Sequence, residues 1–191
     1  MKIEKGNPGY IKAQKRKYLI WTLAEFAIVI AVFVFGYIQT GTKKNLFTVV
    51  AAVGCLPAAK MMVEFIVTYP HKGIDEEKYY EITEKAPLIL CLYDMLISSP
   101  QKLMPVDVMA ISGHVLCGYT SSLKTDEVFL SKYIKKVLED NHYDKMTVKM
   151  FHDYKMFLAR VEGMNNIASV EQPESNRREQ KIRDILFTLC M

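Results

Sequence analysis

Two apolar runs of membrane-crossing length dominate the first third of the chain. Residues 19–39 (LIWTLAEFAIVIAVFVFGYIQ) hold one charge, Glu25, and residues 46–67 (LFTVVAAVGCLPAAKMMVEFIV) hold two, Lys60 and Glu64. As helices rising 1.5 Å per residue, both are long enough to cross a hydrocarbon core of about 30 Å. The six residues between them, Thr40-Gly41-Thr42-Lys43-Lys44-Asn45, suffice for a tight turn, so the pattern predicts an antiparallel transmembrane hairpin over residues 18–69. The first run outlasts the apolar core of a secretory signal, and no small-residue cleavage site follows it; a retained anchor is expected. Gly54 and Pro57 mark a close helix contact or a local break in the second helix.

From residue 73 the pattern becomes that of a globular domain. Residues 74–86 predict a helix with acids in its first turn, stopped by Pro87. Residues 88–98 are apolar on both faces, as in a central strand. Residues 103–112 and 114–121 form two more strands, joined at Ser112-Gly113. Thr125 is expected to cap the next helix, with Asp126 and Glu127 in its first turn and an apolar stripe from Phe129 to Leu138. Residues 146–151 alternate as a fourth strand. Asp153 then caps a helix to about Ile167, and a polar linker through residues 172–176 leads to a last helix burying Ile182, Ile185, Leu186 and Leu189. The expected fold class is an α+β membrane protein: a basic arm at 1–17, the hairpin (19–39, 46–67), and a cytoplasmic αβββαβ domain at 73–191 with extra C-terminal helices.

Charge changes the picture in two ways. The net +4 of the 191 residues is uneven: residues 1–17 carry six Lys/Arg against one Glu, whereas residues 73–191 carry fifteen against eighteen Asp/Glu. The excess of positive charge ahead of the first run, against Lys43 and Lys44 in the turn, places both termini in the cytoplasm of a multi-pass plasma-membrane protein. Trp21 and Tyr37 suit the two interfacial belts. The same arm fits attraction to anionic inner-leaflet lipid. An acidic domain, in turn, counts against a nucleic-acid partner. The hairpin charges have a counterpart in depth: Glu25 and Lys60 lie at about the same height in an antiparallel pair. An interhelical ion pair with Glu64 sharing the ammonium is one expectation for this membrane charge cluster, and snorkelling to the headgroups is the other.

Candidate chemistry is thin. Cys55, Cys91, Cys117 and Cys190 form no CxxC pair and read as buried free thiols in a reducing compartment. Histidines 71, 114, 142 and 152 are scattered, and His152-Asp153 reads as a helix start. Ser121 and Ser122 lack a nucleophile-elbow context, and Gly6 and Gly9 make no phosphate loop.

The order helix, three strands, helix, strand resembles the core of the restriction-endonuclease-like fold, a mixed sheet. The likeness to its nuclease-related branch rests on Asp107 in the second strand, the turn at Gly113 and the third strand Val115-Leu116-Cys117, and covers residues 74–151. The resemblance implies Mg²⁺-dependent phosphodiester hydrolysis. However, where the family has Glu-x-Lys, this chain offers Gly118 or Tyr119, then Thr120 or Ser121. A nuclease would need migrated groups: Asp94 and Asp107 as Mg²⁺ ligands and Lys149 as the cationic helper. The plainer reading of either Asp is a buried carboxylate accepting backbone or Tyr hydrogen bonds.

Three functions follow as expectations. The first is a non-enzymatic, membrane-tethered interaction or scaffold module, without cofactor, working through a protein partner or a homo-oligomer. The second is the Mg²⁺-dependent membrane nuclease. The third is a small subunit of a transport or envelope complex, with Glu25, Lys60 and Glu64 as the working part.

Overall fold

The computed structural model describes residues 4–42, 46–170 and 176–190. Lys2 of the basic arm, Lys43, Lys44 and Asn45 of the turn, and residues 171–175 of the polar linker lie outside the described residues. Two compact units result: the residues between Ile11 and Lys72 make one, while those up to Tyr10 join those from Gly73 onward in the other.

The first unit holds α1 (Tyr10–Thr40) and α2 (Leu46–Thr68). Both are long and apolar enough to cross a membrane. Only 6% and 11% of their most apolar stretches are buried within the structure, unlike the core helices of a soluble domain. They pack along a seam. On α1 it runs through Ile11, Thr22, Glu25, Val29 and Gly36, and on α2 through Ala51, Gly54, Ala58 and Thr68. The approach is tightest at Gly54, where a Cβ would come within 3.1 Å of Val29 Cγ2. Phe35 meets Phe47 edge-on at 5.7 Å towards one end, and Lys15 lies 5.6 Å over the Tyr69 ring at the other. α2 runs through Pro57 as one helix.

The second unit is α+β. Its elements are α3 (Glu76–Lys85), β1 (Leu90–Ser98), β2 (Leu103–Ser112), β3 (Val115–Tyr119), α4 (Glu127–Asp140), β4 (Thr147–Phe151), α5 (Tyr154–Val170) and α6 (Asn176–Thr188). The sheet order is β1-β2-β3-β4, with two antiparallel pairs followed by a parallel one, so the sheet is mixed. Helices cover both faces, because apolar residues point both ways from the inner strands. On one face Met109, Ile111, Leu116 and Met150 pack with Leu130 and Ile134 of α4 and Ile182 and Leu186 of α6. On the other, Val108, Ala110, Cys117 and Phe151 pack with Ile82 of α3 and Phe157 and Val161 of α5. The outer side of β1 is covered, since Tyr93 N donates to Gly6 O at 2.8 Å and Ser98 N to Leu189 O at 2.9 Å.

One local expectation is corrected, and one strand departs from strict alternation. The cap of α4 is Asp126, whose carboxylate accepts from Val128 N and Phe129 N at 2.9 Å, whereas Thr125 is buried and turns its hydroxyl towards Pro105 O. A strand of strict period two would put Asp94 on the face of Leu90, Leu92 and Leu96. Instead the alternation steps once: Leu90 and Leu92, then Met95 and Ile97, all join the α4/α6 core. β2 steps with it, since Met104 and Val106, then Met109 and Ile111, do the same. The step falls at Asp94, which adopts φ 55°. A left-handed residue inside a strand rotates everything beyond it to the other side.

Candidate functional site

The steps in β1 and β2 bring four polar residues into one row across the sheet. Asp94 faces Asp107 between the Tyr93–Val108 and Met95–Val106 pairs. One position beyond the Val108–Tyr119 pair, Asp107 stands beside Thr120; one beyond Tyr119–Phe151, Thr120 stands beside His152. The row lies at the carboxyl ends of the parallel strands β3 and β4, where open α/β sheets gather their ligands.

Each member of the row is engaged with backbone. The Asp94 side chain, 2% exposed, accepts from Gly9 N through Oδ2 at 2.7 Å and from Ile74 N through Oδ1 at 2.8 Å. Gly73 makes room for it, since a Cβ there would fall within 2.8 Å of both carboxylate oxygens. Asp107, also buried, accepts from Ser121 N at 2.7 Å. Burial pushes its carboxyl above the ordinary range, against the Ser121 hydrogen bonds and the nearby Lys78 charge. Thr120 donates its hydroxyl to Pro105 O at 2.8 Å. The His152 ring nitrogens each lie 3.0 Å from a backbone carbonyl, of Thr120 and of Thr125, so the ring ties the end of β3 to the start of α4. Asp153 takes the capping role, accepting from Lys155 N at 2.8 Å.

The cation beside Asp107 comes from α3. Lys78 Nζ donates to Tyr119 Oη at 3.2 Å, pairs with Asp75 at 3.1 Å, and lies 5.2 and 5.4 Å from the Tyr119 and Tyr154 rings. Burial works to lower its pKa, but the bonds to Tyr119 and Asp75 outweigh that and hold the ammonium above its usual range. Tyr154 donates onward to Glu81 Oε2 at 2.8 Å. The result is a patch of alternating charge and aromatic ring along α3, β3 and α5.

The expected Asp94, Asp107 and Lys149 set is brought together only in part. The two aspartates share a rung. Lys149 is exposed on the edge strand β4, three positions before His152 and two strands from Asp107, so its backbone stands about 14 Å away. Its ammonium lies 5.1 Å over Phe151. Mg²⁺ demands open carboxylates in near-octahedral geometry, and here both Asp side chains hold amides instead. Among the described residues no three His, Cys, Asp or Glu side chains gather as metal ligands.

The hairpin charges are likewise separated. Among the described residues no ion pair joins Glu25 to Lys60, whose side chain is exposed on the outer side of α2. Equal depth does not fix azimuth: Lys60 is two residues, some 200°, around the helix from the seam residue Ala58. Glu64 is half-buried, with its backbone carbonyl accepting from Thr68 Oγ1 at 2.8 Å. Glu25 does face the seam, and its Oε2, like Thr22 Oγ1, is buried with no hydrogen-bond partner among the described residues.

All four cysteines are free. Burial pushes the Cys91 and Cys190 thiols up to about 11 and raises Cys117 as well, so these sulfurs stay protonated and unreactive at neutral pH.

Lys78, Asp75 and Tyr154 were not singled out by the sequence, and Tyr119 entered it only as a departure from the nuclease pattern. Three separate segments supply them, and only the Asp75–Lys78 spacing of three hinted at a pair. Scans of protein-family models, curated proteins and solved structures each find no match to this chain.

Proposed function

We propose that this chain is a membrane-tethered, non-enzymatic interaction module, its hairpin held in the plasma membrane with both termini cytoplasmic. In this reading its α/β unit is a nuclease-like sheet that has given up metal chemistry. The mixed αβββαβ order supports the likeness to the restriction-endonuclease-like fold. One observation carries the loss of chemistry: the two carboxylates that the likeness would make metal ligands are bonded to the amides of Gly9, Ile74 and Ser121. The patch of Lys78, Asp75 and Tyr154, laid over the buried ring of Tyr119, supplies a surface of the kind protein partners use, with an aromatic ring beside paired charges.

The test has two arms. Purified full-length chain with Mg²⁺ or Mn²⁺ is expected to leave DNA and RNA intact; metal-dependent cleavage lost in Asp107→Ala would establish the nuclease instead. Photo-cross-linking from position 80, exposed on α3, in native membranes is expected to give an adduct with a different polypeptide, lost in Lys78→Glu. Recovery of the chain alone, or of its own dimer, defeats the recruiting role.

The buried, unbonded oxygen of Glu25 favours a second reading, a small subunit of a membrane complex. There, Glu25→Gln would abolish activity of the complex while deletion of residues 73–191 spared part of it.

A further inference from the structure

We infer that the basic end of the hairpin is a binding site for the phosphate of an anionic phospholipid, shared between the two helices through Lys15 and Lys72. The inference rests on the reading of the hairpin as a membrane anchor and adds a specific ligand to it. α1 is 31 residues long, about 46 Å, against a hydrocarbon core of about 30 Å. Its apolar stretch begins at Leu19, so residues 10–18 continue the helix for about 13 Å into the headgroup layer. That overhang carries Lys12, Lys15, Arg16 and Lys17, of which Lys12, Lys15 and Arg16 share one face.

The end of α2 completes the site. Tyr69 presents its ring 5.6 Å from the Lys15 ammonium, which fixes a side chain that would otherwise sweep freely. Lys72 follows three residues after Tyr69, just beyond the end of α2, and so stands at the same end of the hairpin as Lys15. No ion pair neutralises Lys12, Lys15, Arg16, Lys17 or Lys72 among the described residues; the pairs that form all lie in the α/β unit. No acidic residue occurs between positions 10 and 18 or between 68 and 72. Ammonium groups gathered at one end of the hairpin favour an anion, and one placed between Lys15 and Lys72 would lower their mutual repulsion. In the headgroup layer the abundant anion of suitable size is lipid phosphate.

The experiment reconstitutes the full chain in bilayers and compares spin-labelled phosphatidylglycerol with spin-labelled phosphatidylcholine through the motionally restricted component of their spectra. Phosphatidylglycerol is expected to be preferred by about five- to tenfold at low salt, with the preference shrinking as salt rises. Lys15→Gln with Lys72→Gln brings the ratio close to one, whereas Lys15→Arg with Lys72→Arg and Lys60→Gln retain it. Unchanged emission from Trp21 establishes that the hairpin survives each substitution. Equal affinity for the two lipids, or a preference untouched by the double Gln variant, overturns the site. So does a preference erased by millimolar inorganic phosphate, which would assign the lysines to a soluble anion. A chain that enters bilayers without headgroup preference defeats only this inference; one that stays in solution without detergent defeats the anchor as well.

Discussion

The two units treat a buried carboxylate in opposite ways. In the α/β unit, Asp94 is tied to two backbone amides at 2.7 and 2.8 Å, from segments 85 and 20 residues away in sequence. In the hairpin, Glu25 turns an oxygen into the helix seam, where it has no hydrogen-bond partner among the described residues. A carboxylate with two charge-assisted bonds fastens the fold. One without them is a burden on it. The contrast separates a residue kept for architecture from one whose upkeep calls for another reason.

Asp94→Ala is the sharpest way to break this contrast. It strands two amides and removes two bonds to a charged acceptor, a loss of about 3–5 kcal/mol measurable by denaturant unfolding in detergent. Asp94→Asn, which keeps an acceptor and tolerates the left-handed backbone, is expected to lose much less. Equal losses for Ala and Asn would show that the amide bonds are not what matters. Glu25→Leu should act in the other direction, making the hairpin more resistant to sodium dodecyl sulfate by about 1–3 kcal/mol, read from Trp21 fluorescence. A hairpin weakened by this change would mean that Glu25 holds the helices together after all.

Asp126→Ala gives an ordinary benchmark, because it removes the cap of α4 at a cost of about 1 kcal/mol. Stability should drop by that amount at neutral pH, and the difference should shrink as pH falls through the carboxylate range, because the Phe129 and Val128 amides hold the Asp126 carboxyl below its ordinary value. The smallest effect is expected from Asp107→Asn, and it is visible only as a function of pH. Burial raises the Asp107 carboxyl in the folded state, so the folded chain holds its proton more tightly than the unfolded one. That contribution favours folding in acid and is lost as pH climbs from the unfolded carboxylate value through the folded one. The Asn variant should therefore gain relative to the parent between acidic and neutral pH; a parallel pair of melting curves across that range would remove the argument.

Much of the architecture was legible because it is written locally. The apolar runs marked the two long helices, and residues 103–112 were recognisable as a strand from end to end. Depth along a helix was legible as well, which is why Glu25 and Lys60 were matched, but the angle around the axis depends on which stripe meets the neighbour. Ala51, Gly54 and Ala58 decide that by being small, and they leave Lys60 outside. Asp94 and Asp107 were paired as candidate ligands, but the step that lines them up with Thr120 and His152 was hidden for a different reason. A left-handed residue within a strand is tolerable only because distant amides reward it, and no window of sequence around Asp94 contains Gly9 or Ile74. Lys149 looked like the available cation because it sits on a strand; the side chain that arrives near Asp107 is on a helix that precedes the sheet.

The grip of Asp94 on both Gly9 and Ile74 has a topological consequence. Two amides bonded to the same carboxyl group stand no more than about 8 Å apart, a gap that two or three residues can bridge. The intervening 64 positions are thus an excursion that departs from and returns to nearly the same point, as in an inserted module. Splicing a short Gly-Ser bridge between residues 9 and 74 should yield a water-soluble miniature of the α/β unit with its β1 border still covered by Gly6.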